Sequence, residues 1–329
     1  MMKIGGLINK KYTLNKLNKN FLLNGTYLLN GRSALLLILL NIKEKYKIDE
    51  ILIPYFACPS IVNTVKFSKL KFNYYDINIK KKNIVSNGNK KKAILLIHYF
   101  GSKNYYTKFK NNNFIKIEDF SHLYLNKKIL NKNKNRYIFA SLRKHTHLRY
   151  GAWVNKKFDI DEIDKKTANF IVDKQKKLIL IKNKDKFQLK GEKLNQIIEK
   201  KYILKKLTPN LKNNFLKIDW KFIRNQRVKN FKYLKDKIVK FSRFEFLNQK
   251  NNCFPLNFFL LTKKRNHLKK FLFKKGIYTS IHWKINNNKK FIFSSILSKQ
   301  ILSLPIDQRY NYKHMQYIIE NLKIYDKNN

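Results

Sequence analysis

The sequence predicts an α/β fold in which a large domain with a mainly parallel sheet precedes a smaller C-terminal α+β domain. Short apolar runs alternate with helical stretches through the first half of the chain, which is the pattern of a parallel sheet covered by helices. A length of 329 residues suits one large domain and a smaller one. We place the large domain at residues 1–215, including a helical segment from about 159, and the small domain at residues 216–329.

Turn residues and apolar periodicity predict the elements of the large domain in order. Gly31-Arg32-Ser33 opens a helix that continues over 35–45, and a strand follows at 50–54. Pro59 suits the first turn of the next helix, which runs to about residue 68, because that turn does not need the N–H that proline lacks. Further strands are expected at 71–75, 93–98, 114–118 and 137–141. Several of these strands end in polar or turn residues, so we expect the ligand site beyond their carboxyl ends.

The second half of the chain is predicted to be helical from about 159 to 240, in long stretches rich in Lys, Ile and Leu. The small domain is then predicted to contain, in order, a strand at 254–261, a helix near 265–275, a strand near 278–283 and a last helix from 312 to about 324. Loops are expected at three patches rich in Asn and Lys, at 80–92, 126–136 and 286–290.

The chain is strongly basic, with 73 Lys and Arg against 20 Asp and Glu and a formal charge of +53. Such a charge ordinarily suggests a nucleic-acid or membrane partner. Lysine, asparagine and isoleucine are enriched together along the whole chain, however, and the lysines form no separate basic tail. We therefore favour a compositional bias and expect neither a membrane nor a nucleic-acid partner. A basic nucleic-acid-binding protein is the alternative from another class.

Cysteine usage and hydropathy predict a soluble cytoplasmic protein. Cys58 and Cys253 form no disulfide framework and no CxxC pair, which fits a reducing compartment. The first residues lack the long apolar core of a signal peptide. The longest strongly apolar run, at 34–40, is far too short to span a bilayer.

An acid and a lysine follow neighbouring predicted strands. Asp119 ends the strand at 114–118, and Lys144 follows the strand that ends at Ser141. Pyridoxal phosphate chemistry needs such a pair, because a lysine can form a Schiff base with the aldehyde and an aspartate can keep the pyridine nitrogen protonated. An exposed turn aspartate and a surface lysine are the alternative, since the chain is rich in lysine.

Seven short segments, in this order, carry a family resemblance. They are Asn-Gly-Arg-Ser-Ala at 30–34, Ile-Pro-Tyr-Phe-Ala-Cys-Pro-Ser at 53–60, His-Tyr-Phe-Gly at 98–101, Ile-Glu-Asp-Phe-Ser-His at 117–122, Ser-Leu-Arg-Lys at 141–144, Ile-His-Trp at 281–283 and Leu-Ser-Leu-Pro at 302–305. Together they resemble the DegT/DnrJ/EryC1/StrS family of pyridoxal-phosphate-dependent aminotransferases. The resemblance implies the aspartate aminotransferase type fold, fold type I, with helices on both faces of the sheet.

The resemblance implies a role for each candidate site residue. Lys144 would be the Schiff-base lysine and Asp119 the partner of the ring nitrogen. The phosphate would be held by Gly31, Arg32, Ser33 and Ser141, with Arg143 contacting either the phosphate or a substrate carboxylate. His122 matches the position that contacts the cofactor ring oxygen. Cys58 stands where many relatives place an aromatic ring over the cofactor, so either Tyr55 or Phe56 stacks on it instead or the stacking is lost.

The resemblance also implies the reaction. An amino-acid donor, expected to be glutamate, would pass its amino group to a keto acceptor, a nucleotide-linked keto-sugar used in cell-surface glycan synthesis. Family members are homodimers, so we expect a homodimer. The alternatives within the fold are a sugar dehydratase, which carries histidine in place of the lysine, and a non-catalytic relative.

A shift of one residue would exchange Lys144 for His145 and so change the predicted reaction. We favour Lys144, although the commoner spacing after Ser141 would place the lysine at Thr146. His145 and His147 have no nearby cysteine or spaced carboxylate that could complete a metal site, so we predict none.

Overall fold

The computed structural model describes residues 2–16, 24–77, 92–101, 114–123, 136–200, 202–239, 241, 244–247 and 254–328. Nearly all of the predicted loops at 80–92 and 126–136 lies outside the described residues, as does Cys253. The third predicted loop ends in a short 3₁₀ turn at Lys289–Phe291.

A seven-stranded sheet forms the larger part of the fold. Its strands are β1 (Thr26–Leu28), β2 (Glu50–Pro54), β3 (Lys71–Tyr75), β4 (Lys92–Ile97), β5 (Phe114–Asp119), β6 (Arg136–Ser141) and β7 (Ala152–Val154). They lie in the order β1-β7-β6-β5-β4-β2-β3. The neighbouring pairs β6-β5, β5-β4, β4-β2 and β2-β3 are parallel, and β7 runs antiparallel to both β6 and β1. The predicted mainly parallel sheet is confirmed, and all five strands expected in it are present. The three-residue strands β1 and β7 were not predicted.

Helices cover both faces of this sheet, as the fold class predicts. The helices α1 (Gly31–Tyr46) and α2 (Pro59–Phe67) share a core with Tyr137 and Phe139 of β6. The alternate residues Ile138 and Ala140 belong to a second core. This second core includes side chains from α3 (Lys165–Ile179), α4 (Lys184–Lys200) and α5 (Pro209–Leu216). Because successive residues of a strand point to opposite faces, β6 is buried on both sides.

The C-terminal part is the predicted α+β unit. It consists of α6 (Trp220–Ile238), β8 (Glu245–Phe246), β9 (Phe258–Leu261), α7 (Arg265–Lys274), α8 (Ile292–Gln300), β10 (Ile301–Leu304) and α9 (Tyr312–Lys327). The three strands form an antiparallel sheet in the order β10-β9-β8. The apolar sides of α6, α7 and α9 share a third core with β9 and β10. The strand at the start of this unit covers only Phe258–Leu261, and neither α8 nor β10 was predicted as an element.

The predicted strand at 278–283 is wrong. This stretch makes a single bridge, between Ser280 and Ser303, and Ile277 just before it pairs with Ile4. Ile4 also lies in the third core, so the N-terminal residues pack against the C-terminal unit. Helix α6 starts in the second core at Trp220 and reaches the third core from Phe231 onward. The domain boundary at 215/216 remains a prediction.

Across the described ranges, no helix combines the length and the apolar character needed to cross a membrane. Within the same residues, no group of three His, Cys, Asp or Glu side chains comes together as a possible metal site.

Candidate active site

The first turn of α1 forms one end of the site. Asn30 caps the helix, since its side-chain oxygen accepts a hydrogen bond from Ser33 N–H at 2.9 Å. The first turn contains no acidic residue, so its free N–H groups and the helix dipole favour an anion. A Cβ added to Gly31 would lie 3.3 Å from Ser141 Cβ. Glycine therefore allows the helix start to approach the end of β6 closely.

The carboxyl ends of β5 and β6 supply the middle of the site. Asp119 is the last residue of β5 and pairs in parallel with Phe139 of β6, two residues before Ser141. One Asp119 carboxylate oxygen accepts a hydrogen bond from Ser121 N–H at 2.7 Å. Ser121 Oγ in turn accepts from Ser141 N–H at 2.9 Å. These two bonds fix the position of the carboxylate relative to the end of the neighbouring strand.

Lys144 lies in a 3₁₀ turn, Leu142–His145, directly after β6. Its Nζ lies 3.1 Å from His122 Nε2. Burial lowers the pKa of Lys144, although the nearby Asp119 acts in the opposite direction. Burial, followed by the nearby Lys144 charge, holds the pKa of His122 well below its ordinary value. A neutral His122 therefore lies beside an amine that loses its proton more easily than an ordinary lysine.

These elements enclose a cavity of about 300 Å³, a size within the usual range of small-ligand sites. The predicted site residues that line it are Gly31, Arg32, Cys58, Asp119, Ser141, Arg143 and Lys144. Ser33 does not line it, because its buried hydroxyl accepts a hydrogen bond from Ile203 N–H at 3.0 Å. His122 is buried next to Lys144 and outside the lining.

His145, the residue that a one-residue shift would select, does not line the cavity. Its side chain is only 3% exposed, its Nε2 lies 3.2 Å from Ser121 O, and its ring meets Phe254 edge-on at 4.9 Å. Burial lowers the pKa of His145 well below the ordinary value, so the ring is neutral. Of these two neighbours, only Lys144 reaches the ligand space.

Aromatic rings reach the cavity from unexpected positions. Tyr55 and Phe56 do not line it: Tyr55 stacks on Phe291 at 4.4 Å, and Phe56 is fully buried. The aromatic side chains in the lining are Phe139 and Trp283, and the Trp283 ring also stacks on His122 at 5.5 Å. Trp283 belongs to the resembling segment at 281–283, for which the resemblance implies no individual role.

Glu199, near the end of α4, also lines the cavity, although no sequence pattern marks it as a site residue. Arg32 Nη1 donates to the Glu199 carbonyl oxygen at 2.6 Å, and Arg32 Nη2 lies 3.4 Å from its carboxylate. Arg143 forms an ion pair with the same carboxylate. Burial, together with the charge of Arg32, lowers the pKa of Arg143 to about 10.

A buried ion group braces β5 behind the site. Glu118 lies 2.6 Å from His98 Nε2 and accepts two hydrogen bonds from Arg136, one of them at 2.5 Å. Burial alone would raise the pKa of Glu118, but His98 and Arg136 stabilise the anion and lower the pKa to about 2. The strand that carries Asp119 is thereby tied to β4 and β6.

Comparison with solved structures confirms the predicted fold. Spr1654 of Streptococcus pneumoniae, a candidate sugar aminotransferase in its apo-form, gives a TM-score of 0.65 at 11% identity, covering 99% of this chain and 98% of that chain. A DegT DnrJ EryC1 StrS aminotransferase from Brucella abortus gives 0.57 at 13% identity, over 92% and 85% of the two chains. An E. coli GDP-4-keto-6-deoxy-D-mannose-3-dehydratase with bound hydrated PLP gives 0.57 at 15% identity, over 90% and 87%. No protein-family model matches the sequence, and no curated protein matches it either.

Proposed function

We propose that this chain is a pyridoxal-phosphate-dependent aminotransferase that moves an amino group from an amino-acid donor, glutamate, to a nucleotide-linked keto-sugar. The observation that carries the proposal is the convergence of Lys144, Asp119 and the first turn of α1 on one cavity. The Streptococcus pneumoniae protein with this fold is also known in PLP and PMP forms. The choice of a nucleotide-linked keto-sugar as the acceptor is supported by the names of the proteins with similar structures and by the sequence resemblance.

The residues of the cavity fit the cofactor at three points. The start of α1, with Gly31, Arg32, Ser141 and Arg143 around it, offers N–H groups and positive charge to a phosphate. Asp119 offers a carboxylate to the ring nitrogen, and Lys144 offers an amine to the aldehyde. When bound, pyridoxal phosphate supplies an electron sink for the carbanion left when the donor Cα loses its proton.

Lys144, positioned by a hydrogen bond with His122, would transfer protons in this reaction. Phe100 N–H points at His122 Nδ1 at 3.4 Å, so the proton of the neutral ring lies on Nε2 and faces Lys144 Nζ. A neutral amine can accept that hydrogen bond. The lowered pKa of Lys144 increases the fraction of neutral amine at physiological pH, which is the form that attacks an aldehyde or removes a proton from Cα. Asp119 lines the same cavity and would hold the ring nitrogen.

A PLP-dependent sugar dehydratase is the second candidate, because the E. coli protein of this fold is one. The buried position of His145 argues against it, since the dehydratases of the resembling family carry histidine where the lysine stands. We also propose a homodimer acting in the cytoplasm, supported by the family resemblance and by the cysteine usage.

The test is an absorbance spectrum of the protein with pyridoxal phosphate, before and after glutamate is added. We expect near-visible absorbance from the wild type and its loss in Lys144→Ala, because the amine that binds the aldehyde is gone. Lys177→Ala is the matched control, since that lysine is exposed on α3. Borohydride reduction and peptide mapping should place the pyridoxyl group on Lys144.

Glutamate should move the wild-type absorbance into the ultraviolet as the cofactor takes up the amino group. Unchanged absorbance in Lys144→Ala, or a label on another lysine, would overturn the site assignment. A Lys144-dependent signal that does not respond to any amino-acid donor would favour a non-catalytic relative of the same fold.

A further inference from the structure

The phosphate end of the cavity already contains an internal anion. The Glu199 carboxylate contacts Arg143 and lies 3.4 Å from Arg32, so one acid is shared by two guanidinium groups. All three side chains line the cavity beside Gly31 and Ser141. The acid therefore lies among the groups that we assign to a ligand phosphate.

The main chain around Glu199 is anchored to the start of α1. Asn30 Nδ2 donates to Ile198 O at 2.8 Å, Arg32 Nη1 donates to Glu199 O at 2.6 Å, and Ile203 N–H donates to Ser33 Oγ at 3.0 Å. These bonds hold the backbone on both sides of Glu199 against the site. The Glu199 side chain remains 21% exposed, so its carboxylate has a path to solvent that leaves the backbone in place.

The charges explain why the acid is there and what would replace it. Arg32 and Arg143 repel each other, and the first turn of α1 adds partial positive charge. Without a ligand, Glu199 supplies the compensating negative charge. A phosphate monoester near neutral pH carries nearly two negative charges and offers more acceptor oxygens than a carboxylate. Such a dianion therefore competes with Glu199 for Arg32 and Arg143 more strongly than a monoanion does.

We infer that Glu199 is an internal competitor at this anion site, so that a phosphate group binds by displacing the carboxylate from Arg32 and Arg143. This competition makes the site select dianionic phosphates and reject monoanions. The inference rests on the proposed function only for the identity of the ligand that carries the phosphate.

The experiment titrates the full chain, freed of cofactor, with inorganic phosphate in a calorimeter. Glu199→Gln should bind phosphate about tenfold more tightly than the wild type, because the competing charge is gone. Glu192→Gln is the matched control, since it removes the same charge from an exposed position of α4. Its affinity should equal that of the wild type. Acetate, a monoanion, should bind detectably only to Glu199→Gln.

A second variant separates competition from a general gain in positive charge. In an Arg143→Gln background the site has lost one contact to Glu199, so the added Glu199→Gln substitution should improve phosphate binding much less than tenfold. An equal gain in both backgrounds, or a Glu199→Gln affinity no better than wild type, overturns the inference. Circular dichroism melting confirms that the variants are folded.

Failure of the Glu199 inference can be distinguished from failure of the proposed function. A protein that forms the Lys144-dependent absorbance while Glu199→Gln leaves phosphate affinity unchanged refutes the competitor alone. A protein that takes up no pyridoxal phosphate refutes the aminotransferase, and the phosphate titration still decides the role of Glu199.

Discussion

Single residues show how strongly burial changes the chemistry of an acid in this chain. Glu118 and Asp119 are adjacent and both buried, but they meet different partners. Glu118 contacts His98, directly after β4, and Arg136 of β6. Asp119 lines the cavity. The first acid therefore stabilises the sheet, and the second remains available to a ligand.

Replacing Glu118 by Gln should lower the free energy of unfolding at pH 7 by about 3 kcal/mol, because Arg136 is left without its anion. The pKa of Glu118 falls from its ordinary value near 4.5 to about 2 in the folded protein. The stabilisation is thus present above the unfolded pKa and is lost as the pH falls from about 4.5 towards 2.

Urea unfolding at a series of pH values measures this effect. The gap between wild type and Glu118→Gln should narrow as the pH falls through that window. Glu320→Gln, an exposed change on α9, should show no comparable gap at any pH. A Glu118→Gln gap that is constant down to pH 2 would contradict the assignment of the pKa shift.

Elements differ in how far their sequence predicts them. The apolar pattern predicted α1, the helical character of residues 159–240 and the five central strands, because burial imposes a clear pattern on such segments. The strands β1 and β7 have three residues each, too few to show alternation. The segment at 278–283 is apolar enough for a strand, but its Trp283 contributes to the cavity lining instead of a ladder. Tertiary contacts decide these cases.

The same distinction applies to the site. Asp119, Lys144 and the start of α1 were predicted because they follow strands or open a helix, positions that the local pattern defines. Glu199 is one of many polar residues on an ordinary amphipathic helix, and only the packing of α4 against α1 brings it to the cavity. Ser33 was predicted to help hold the phosphate, but its hydroxyl accepts a hydrogen bond from Ile203 N–H instead.

The turn that carries Lys144 depends on Gly151 at the entrance to β7. Gly151 N–H donates to Leu29 O at 2.6 Å, and its carbonyl accepts from Leu142 N–H at 2.9 Å. Its φ is +104°, and an added Cβ would lie 2.0 Å from the Phe215 ring. Gly151→Ala should therefore cost about 3 kcal/mol of stability and weaken cofactor uptake at Lys144.

Thermal melting and the cofactor absorbance test this prediction together. Gly191→Ala is the matched control, because that glycine is helical and the added Cβ would come close only to the flexible end of Leu7, at 2.7 Å, and make ordinary contacts with Leu178. It should change stability by no more than about 1 kcal/mol. A Gly151→Ala protein with wild-type melting and absorbance would show that the turn tolerates a side chain.

The whole molecule carries a formal charge of +53, and this charge works against the compact state. Raising sodium chloride from about 0.05 M to about 0.5 M should raise the melting temperature, because salt screens the repulsion between lysines. Differential scanning calorimetry measures the shift. Arg143→Gln should show the same increase, which excludes chloride binding at the anion site as its cause. A melting temperature that falls with salt would show that attractive ion pairs outweigh the repulsion.

The position of Trp283 in the cavity wall has a consequence for the order of events during synthesis. The other lining residues lie between Asn30 and Glu199, but the wall also needs a side chain from the last fifth of the chain. A nascent chain still on the ribosome therefore lacks part of its pocket until residue 283 has emerged. Full-affinity binding of the proposed cofactor therefore requires that residue 283 has emerged, and a ribosome stalled before it would hold a chain with an incomplete site.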